Sequence, residues 1–297
     1  MVLAAFMFAS MGVCVKYASA HFNPAELVFY RGLIGMAFLA TLARRQGISL
    51  KTNYPGMHAW RSTIGVASLG AWFYAIAHLP LATAMTLNYM SSIWIAAFLI
   101  GGALLTWRPG QGNAALQQGP LVLTVMAGFV GVVLVLRPSL DQNEMFAGLI
   151  GLLSGMSAAF AYMQVMALSR TGEPETRTVF YFAVGSAVAG GIGTLVVGAS
   201  SWEWPSALWL LPIGLLAALG QLFMTRAYAS AKTQGAMLTV ASLQYSGIVF
   251  GAVYSLLLFG DKISGLGWLG MGLIMASGIA ATVLRGQAAP NAPAEEH

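Results

Sequence analysis

The residues able to handle a ligand are polar and aromatic side chains set at helical spacing inside long apolar stretches. Asn88 and Ser92 are four apart and share a helix face, with Trp94 close by. Thr239, Ser242 and Ser246 form a second stripe, with Gln244 and Tyr245 beside Ser242. Tyr74 and His78 share a face, as do Gln221, Thr225 and Tyr228, and Tyr162 stands inside a further apolar stretch. An unpaired polar group is costly in hydrocarbon, so such residues turn towards the interior of a helix bundle. Amides and hydroxyls offer hydrogen bonds and rings offer stacking, which is the chemistry of a binding chamber. Ser and Thr also bond their own backbone or tie helices together, so Asn88, Gln221 and Gln244 carry the most weight. The expected substrate-binding set is Tyr74, His78, Asn88, Ser92, Trp94, Tyr162, Gln221, Ser242, Gln244 and Tyr245.

Reaction chemistry is poorly represented. A phosphate-binding loop needs a Gly-Lys pair, and none exists. Ser154-Gly155 lacks the glycine two residues earlier that a nucleophilic serine turn would use. Gly151-Leu152-Leu153-Ser154-Gly155 reads instead as a small-residue packing face. His21, His58, His78 and His297 are too scattered for a metal motif. Asp141, Glu144, Glu173, Glu175, Glu203 and Asp261 fall in loops or at helix ends, and Glu295 and Glu296 in the tail. Only Glu26, which opens the second apolar stretch, approaches the membrane, so no carboxylate proton relay is evident and facilitated transport or exchange is the simpler energetics. His78 retains the capacity to titrate. No enzyme activity, cofactor or metal is expected.

The elements that must position these side chains follow from composition. Of 297 residues, 58% are hydrophobic and 8% charged, and the mean hydropathy is +0.75. That charge cannot cover a water-soluble globule, and one cysteine, Cys14, excludes a disulfide scaffold. Ten apolar stretches run roughly over 2–20, 24–43, 58–79, 82–105, 120–136, 145–169, 177–199, 206–229, 235–258 and 264–284, each about long enough to span a bilayer. They lack the alternation of barrel strands, so the expected fold is an all-α integral membrane protein. Ala18-Ser19-Ala20 resembles a signal-peptidase site, but no basic segment precedes the apolar run, which reads as a first helix. Residues 286–297 read as a disordered tail.

Lys and Arg placement orients the chain. With the N-terminus cytoplasmic, Arg44, Arg45, Lys51, Arg61, Arg108, Arg170, Arg177, Arg226, Lys232 and Arg285 lie at cytoplasmic ends, against Lys16, Arg137 and Lys262 at the other face. Both termini are then cytoplasmic. Arg31 lies within the second helix, about 10 Å deep. It faces either a substrate carboxylate or a structural partner such as Glu26, a helix-end carbonyl or a hydroxyl.

The two halves resemble each other in order. Val28-Phe29-Tyr30 recurs as Val179-Phe180-Tyr181, Trp60 as Trp209, Leu69-Gly70 and Phe73 as Leu219-Gly220 and Phe223, Ala84-Met85 as Ala236-Met237, and Val135-Leu136-Arg137 as Val283-Leu284-Arg285, at offsets of 148 to 152. Five helices is an odd number, so the second copy enters from the opposite face, giving an inverted repeat. The expected units are 1–138, 145–285 and the tail. At an offset of 150, His78 corresponds to Tyr228, and the two are expected to form outer and inner gates.

Ten helices as five plus five in a hydrophobic chain of this size resemble the drug/metabolite transporter superfamily, within it the EamA-type branch, and the YddG-type aromatic amino acid exporters most. Leu257-Leu258-Phe259-Gly260-Asp261 resembles the family's apolar-Gly-acid ending of the ninth helix, with Asp where Glu is usual. Leu105-Thr106-Trp107-Arg108 lacks that acid, and Ser91-Ser92 stand near the family's mid-helix proline in the fourth helix. The resemblance implies export of amino acids, aromatic or other neutral ones, and related amphipathic metabolites across the inner membrane by alternating access. A passive channel on the same scaffold and a proton-coupled exporter are the alternatives. The expected partners are a small-molecule substrate and the bilayer, with no nucleic acid and the chain acting as a monomer.

Overall fold

The computed structural model describes residues 1–91, 93–95, 97, 98, 101, 119–136, 142–231 and 240–288. Among these residues every regular element is a helix: α1 (Val2–Ala18), α2 (Pro24–Gln46), α3 (Pro55–His78), α4 (Leu81–Asn88), α5 (Gly119–Leu136), α6 (Gln142–Arg170), α7 (Glu175–Val197), α8 (Trp204–Ala207), α9 (Leu210–Ser230), α10 (Ser246–Leu258) and α11 (Gly265–Ala288). Six segments are long and apolar enough to cross a membrane: Pro24–Gln46, Glu144–Arg170, Glu175–Val197, Trp204–Ser230, Val240–Leu258 and Gly265–Leu284. Val2–Ala18 and Gly119–Val135 are apolar but shorter. The chain is thus an all-helical, multi-pass membrane protein.

Local signals set the helix ends. The Asn23 side chain accepts from the backbone N–H of Ala25 and Glu26, Glu26 returns a carboxylate to the Asn23 N–H, and Pro24 occupies the first turn. Gly47, with φ +67°, supplies the left-handed residue that stops α2. The helices pack α2 on α7, α3 on α6, α1 on α9, α5 on α11 and α4 on α10. With apolar lipid outside, close contact rather than water exclusion holds such seams, and small residues permit it. A Cβ on Gly32 would overlap the Ala187 backbone, and one on Gly190 the Phe29 backbone. Gly131 and Gly270 face each other in the same way, Gly251 takes Met85, and Gly155 lets α6 meet the Leu87 carbonyl.

The structure differs from the sequence expectation at the fourth stretch, the ninth stretch and the tail. The fourth stretch is not one continuous helix: α4 ends at Asn88, Tyr89-Met90 form a turn, and helical backbone resumes at Ser91. The ninth breaks likewise at Gln244-Tyr245 before α10. In both turns the N–H bonds reach back three residues, Met90 to Leu87 and Tyr245 to Ser242, in place of the α-helical four. The expected tail is helical as far as Ala288, and 289–297 lie outside the described residues.

Each end is clasped by polar contacts. At one, Thr52 Oγ1 donates to Glu173 Oε1 at 2.8 Å, Arg177 Nη1 to Glu173 Oε2 at 3.1 Å, and Tyr181 OH to the Leu50 carbonyl at 2.8 Å. His58 stacks on Tyr181 with its Nε2 3.5 Å from Glu173 Oε2. At the other, both Glu26 oxygens are taken, Oε1 by the Ser200 N–H at 2.8 Å and Oε2 by the Ser200 hydroxyl at 2.6 Å. The near-membrane acid of the sequence is thus a structural cap.

Burial pushes the Glu173 carboxyl up, but the Thr52 hydrogen bond, Arg177 and His58 outweigh it and hold it below its ordinary value of 4.5. A depressed folded value stabilises fully above the unfolded value, and the gain is lost as pH falls through the folded one. Thermal unfolding of the lipid-embedded protein should therefore show a smaller difference between the protein and Glu173→Gln at pH 3.5 than at pH 7. An equal difference at both would contradict the clasp.

Candidate substrate chamber

Two arginines enter the bundle from neighbouring helices and meet over one ring. Arg31 of α2 is 4% exposed, and its guanidinium lies 4.8 Å from the centroid of Phe182 on α7. Arg61 of α3 is 3% exposed and lies 4.1 Å from the same centroid. Arg31 Nη1 donates to Ser186 Oγ at 3.0 Å, and Arg61 Nη2 to Gln221 Oε1 of α9 at 3.4 Å. Gly65, one turn beyond Arg61, leaves the room its side chain needs, since a Cβ there would overlap Nη1.

Among the described residues neither charge meets an acidic partner. Arg31 Nε and Arg61 Nε and Nη1 are buried without a hydrogen-bond partner. Guanidiniums within about 9 Å repel by about 2 kcal/mol at an effective dielectric of about 20. Cation–π attraction to Phe182, about 1–2 kcal/mol each, offsets that repulsion but not the cost of leaving water.

Beside them lies a cavity of about 50 Å³. Phe8 and Met11 of α1, Ser68, Leu69 and Trp72 of α3, Ala158, Ala161 and Tyr162 of α6, and Gln221 complete its wall with Asn88 and Tyr89 at the α4 break. The lining contains no acid, and the Trp72 indole N–H is a further donor without a partner. The wall therefore combines excess positive charge and free donors with apolar and aromatic surface.

Of the expected binding residues, Asn88, Tyr162 and Gln221 line this cavity. Asn88 Nδ2 donates to Ser154 Oγ at 3.1 Å, and this bond fixes its amide. Tyr228 OH donates to Gln244 Oε1 at 3.3 Å in a neighbouring cluster to which Tyr162 also packs. Tyr245 is 1% exposed and wedged against Gly278, and Ser242 is half-buried. The structure does not bring the remaining expected residues to the cavity. His78 is exposed and stacks on Tyr74 at 4.1 Å, next to Phe146. Trp94 belongs to an aromatic row with Phe98 and Phe129. Ser92 and Thr239 lie outside the described residues.

Sequence reading assigned Arg61 to a helix end, and the structure corrects this: the side chain is buried and turned inward. The signal was present in Pro55, a first-turn residue, which puts Arg61 about 9 Å along α3. For Arg31 the neighbouring hydroxyl is Ser186, but that bond leaves Nε facing no partner. Tyr89, Ser68 and Phe182 were missed, since nothing local distinguishes them from other apolar-helix residues.

Comparison with known proteins now bears on this chamber. A family model described as the EamA-like transporter family matches residues 1–137. The chain is 32% identical over 281 residues to the pseudopaline exporter CntI of Pseudomonas aeruginosa, covering 94% of this chain and 93% of that one. It belongs to the EamA-like transporter family. This EamA-like chain is also 28% identical over 284 residues to a riboflavin transporter of Rhizobium johnstonii, covering 94% of this chain and 88% of that one. A solved crystal structure at 18% identity and TM-score 0.62, covering 96% of both chains, shares its fold. The chain is accordingly a membrane transporter of that family.

A buried charge without a partner lowers stability, so a structural arginine and a ligand-binding one respond oppositely to removal. Arg61→Met should raise the unfolding free energy of the ligand-free EamA-like protein by about 1 kcal/mol. Tryptophan fluorescence during thermal unfolding measures it, and a loss of stability would make Arg61 a structural element.

Proposed function

We propose that this EamA-like transporter exports small amphipathic metabolites, amino acids and their derivatives among them, across the inner membrane by alternating access. The observation that carries the reading is the chamber itself, walled by six helices and by the break after α4. Discontinuous helices at mid-depth are where transporters of this architecture bind substrates. The relatives named as exporting pseudopaline and transporting riboflavin carry metabolites, which agrees with the reading.

Exchange symmetry of the packing supports two inverted five-helix halves, 1–138 and 145–285. Counting α6, α7, α9, the 240–258 segment and α11 as the second set, α2 meets α7, α4 meets α10 and α5 meets α11. The mixed contacts come in reciprocal pairs as well: α1 on α9 with α6 on α3, α1 on α10 with α6 on α4, and α2 on α9 with α7 on α3. Pro24 and Pro174, 150 apart, stand at the start of equivalent helices, α2 and α7. Such halves can trade conformations and open the chamber to each face in turn.

The loop between α2 and α3 carries Lys51 and follows Arg44 and Arg45, which supports a cytoplasmic placement of that end and of both termini even with Arg61 removed from the tally. Tyr228 then lies towards the inner end of the chamber and exposed His78 at the outer face, in keeping with inner and outer gates. Glu26 is consumed by its cap, so transport runs on the substrate gradient or by exchange rather than through a carboxylate relay.

Counterflow tests this reading against a channel. In proteoliposomes preloaded with unlabelled substrate, a carrier accelerates entry of labelled substrate and a channel does not. Ala161→Trp, which fills the chamber, should abolish counterflow while leaving the detergent-solubilised protein monodisperse. Counterflow undiminished by this substitution would remove the chamber from the transport path.

A further inference from the structure

The chamber's polarity is one-sided. Among the described residues, the fully buried side-chain atoms of its lining that lack a hydrogen-bond partner are donors: Arg31 Nε, Arg61 Nε and Nη1, and Trp72 Nε1. Two of the three side chains carry a full positive charge, both are more than nine-tenths buried, and no acid lines the wall to oppose them. A neutral amino acid fits this poorly. Its carboxylate satisfies one guanidinium, its ammonium is repelled by both, and the remaining acceptors on the wall are uncharged.

Building on the chamber reading, we infer that the ligand is an organic dianion: an amphipathic metabolite whose oxyanion groups, two carboxylates or one phosphate, bring two negative charges to Arg31 and Arg61. Guanidinium forks match carboxylate and phosphate oxygens in geometry and hydrogen-bond them with charge assistance. Phe182, against which both guanidiniums lie at 4.8 and 4.1 Å from its centroid, keeps the two forks within about 9 Å of each other, a span that one dianion can bridge. Ser186 and Gln221 tie down one nitrogen of each and so aim the rest. Trp72 Nε1 supplies a third donor, and Phe8, Met11, Leu69 and the Trp72 ring receive the apolar part of the molecule. The loaded chamber is electrically neutral and the empty one carries two charges. Occupancy removes the penalty of burying them.

The test is a matched ligand series on the purified full chain, read by thermal unfolding and equilibrium binding. Phenylalanine is the zwitterion, N-acetylphenylalanine the monoanion, benzylsuccinate the dicarboxylate and phenyl phosphate the phosphate. All four carry one phenyl ring. At least one dianion should bind about tenfold tighter than the monoanion, with the zwitterion weakest. Which dianion prevails assigns the charges to carboxylates or to phosphate. Arg31→Gln and Arg61→Gln should each weaken dianion binding about tenfold or more, and Arg61→Lys should weaken it less. Phenylalanine binding as tightly as either dianion, or no binding of either dianion, overturns the inference on the unaltered protein, whatever the variants do. Ala161→Trp separates the two readings. If it abolishes binding and no charge preference exists, only the dianion fails. If dianion binding survives it, the chamber reading fails and takes this inference with it.

Discussion

Two positive charges held in a low-dielectric interior, with no counter-charge among the described residues, set the terms for the rest of the molecule. Burying a guanidinium costs several kcal/mol unless hydrogen bonds and opposite charge repay it. Here Ser186, Gln221 and the Phe182 face repay a part. The surrounding structure must supply the remainder, and it must keep α2, α3 and α7 close enough that neither arginine can swing out to water.

The glycine seams do this. Gly32 and Gly190 bring α2 and α7 into backbone contact on either side of the Arg31 level. Gly65 then leaves the space into which Arg61 folds. Polar clasps at both ends, Glu173 with Thr52 and Arg177, and Glu26 with Ser200, lock the same pair of helices lengthwise. Rigid seams and end clasps are also what an alternating-access protein has to rearrange. The turns at Tyr89-Met90 and Gln244-Tyr245 give the α4 and α10 segments points at which backbone geometry can change at modest cost.

Most of the fold was legible because lipid makes the rules strict. Apolar run length gives spanning helices, and packing glycines such as Gly151, Gly155, Gly247 and Gly251 stand out against an apolar background. The amides Asn88 and Gln221 also declared themselves, since an amide in hydrocarbon needs a reason. Arg61 did not: a basic residue six positions from a helix start snorkels to the interface as readily as it turns inward, and only tertiary packing decides. The two helix breaks were illegible for a similar reason. Neither contains proline or glycine at the turn itself, and beside the first of them Gly155 on α6 makes room for the Leu87 and Asn88 carbonyls, a fit that no local pattern identifies. His78 and Trp94 carry suitable chemistry but stand away from the cavity, His78 against Tyr74 and Trp94 against Phe98 and Phe129.

Arg31 and Arg61 are proposed to present jointly a receptor for an oxyanion. Anomalous diffraction from crystals grown in lipid and soaked with selenate, a compact dianion, addresses it directly. A selenium peak is expected within hydrogen-bonding distance of both guanidiniums and beside Trp72 Nε1. No peak there, with the free nitrogens of Arg31 and Arg61 instead bonded to protein acceptors, would contradict it.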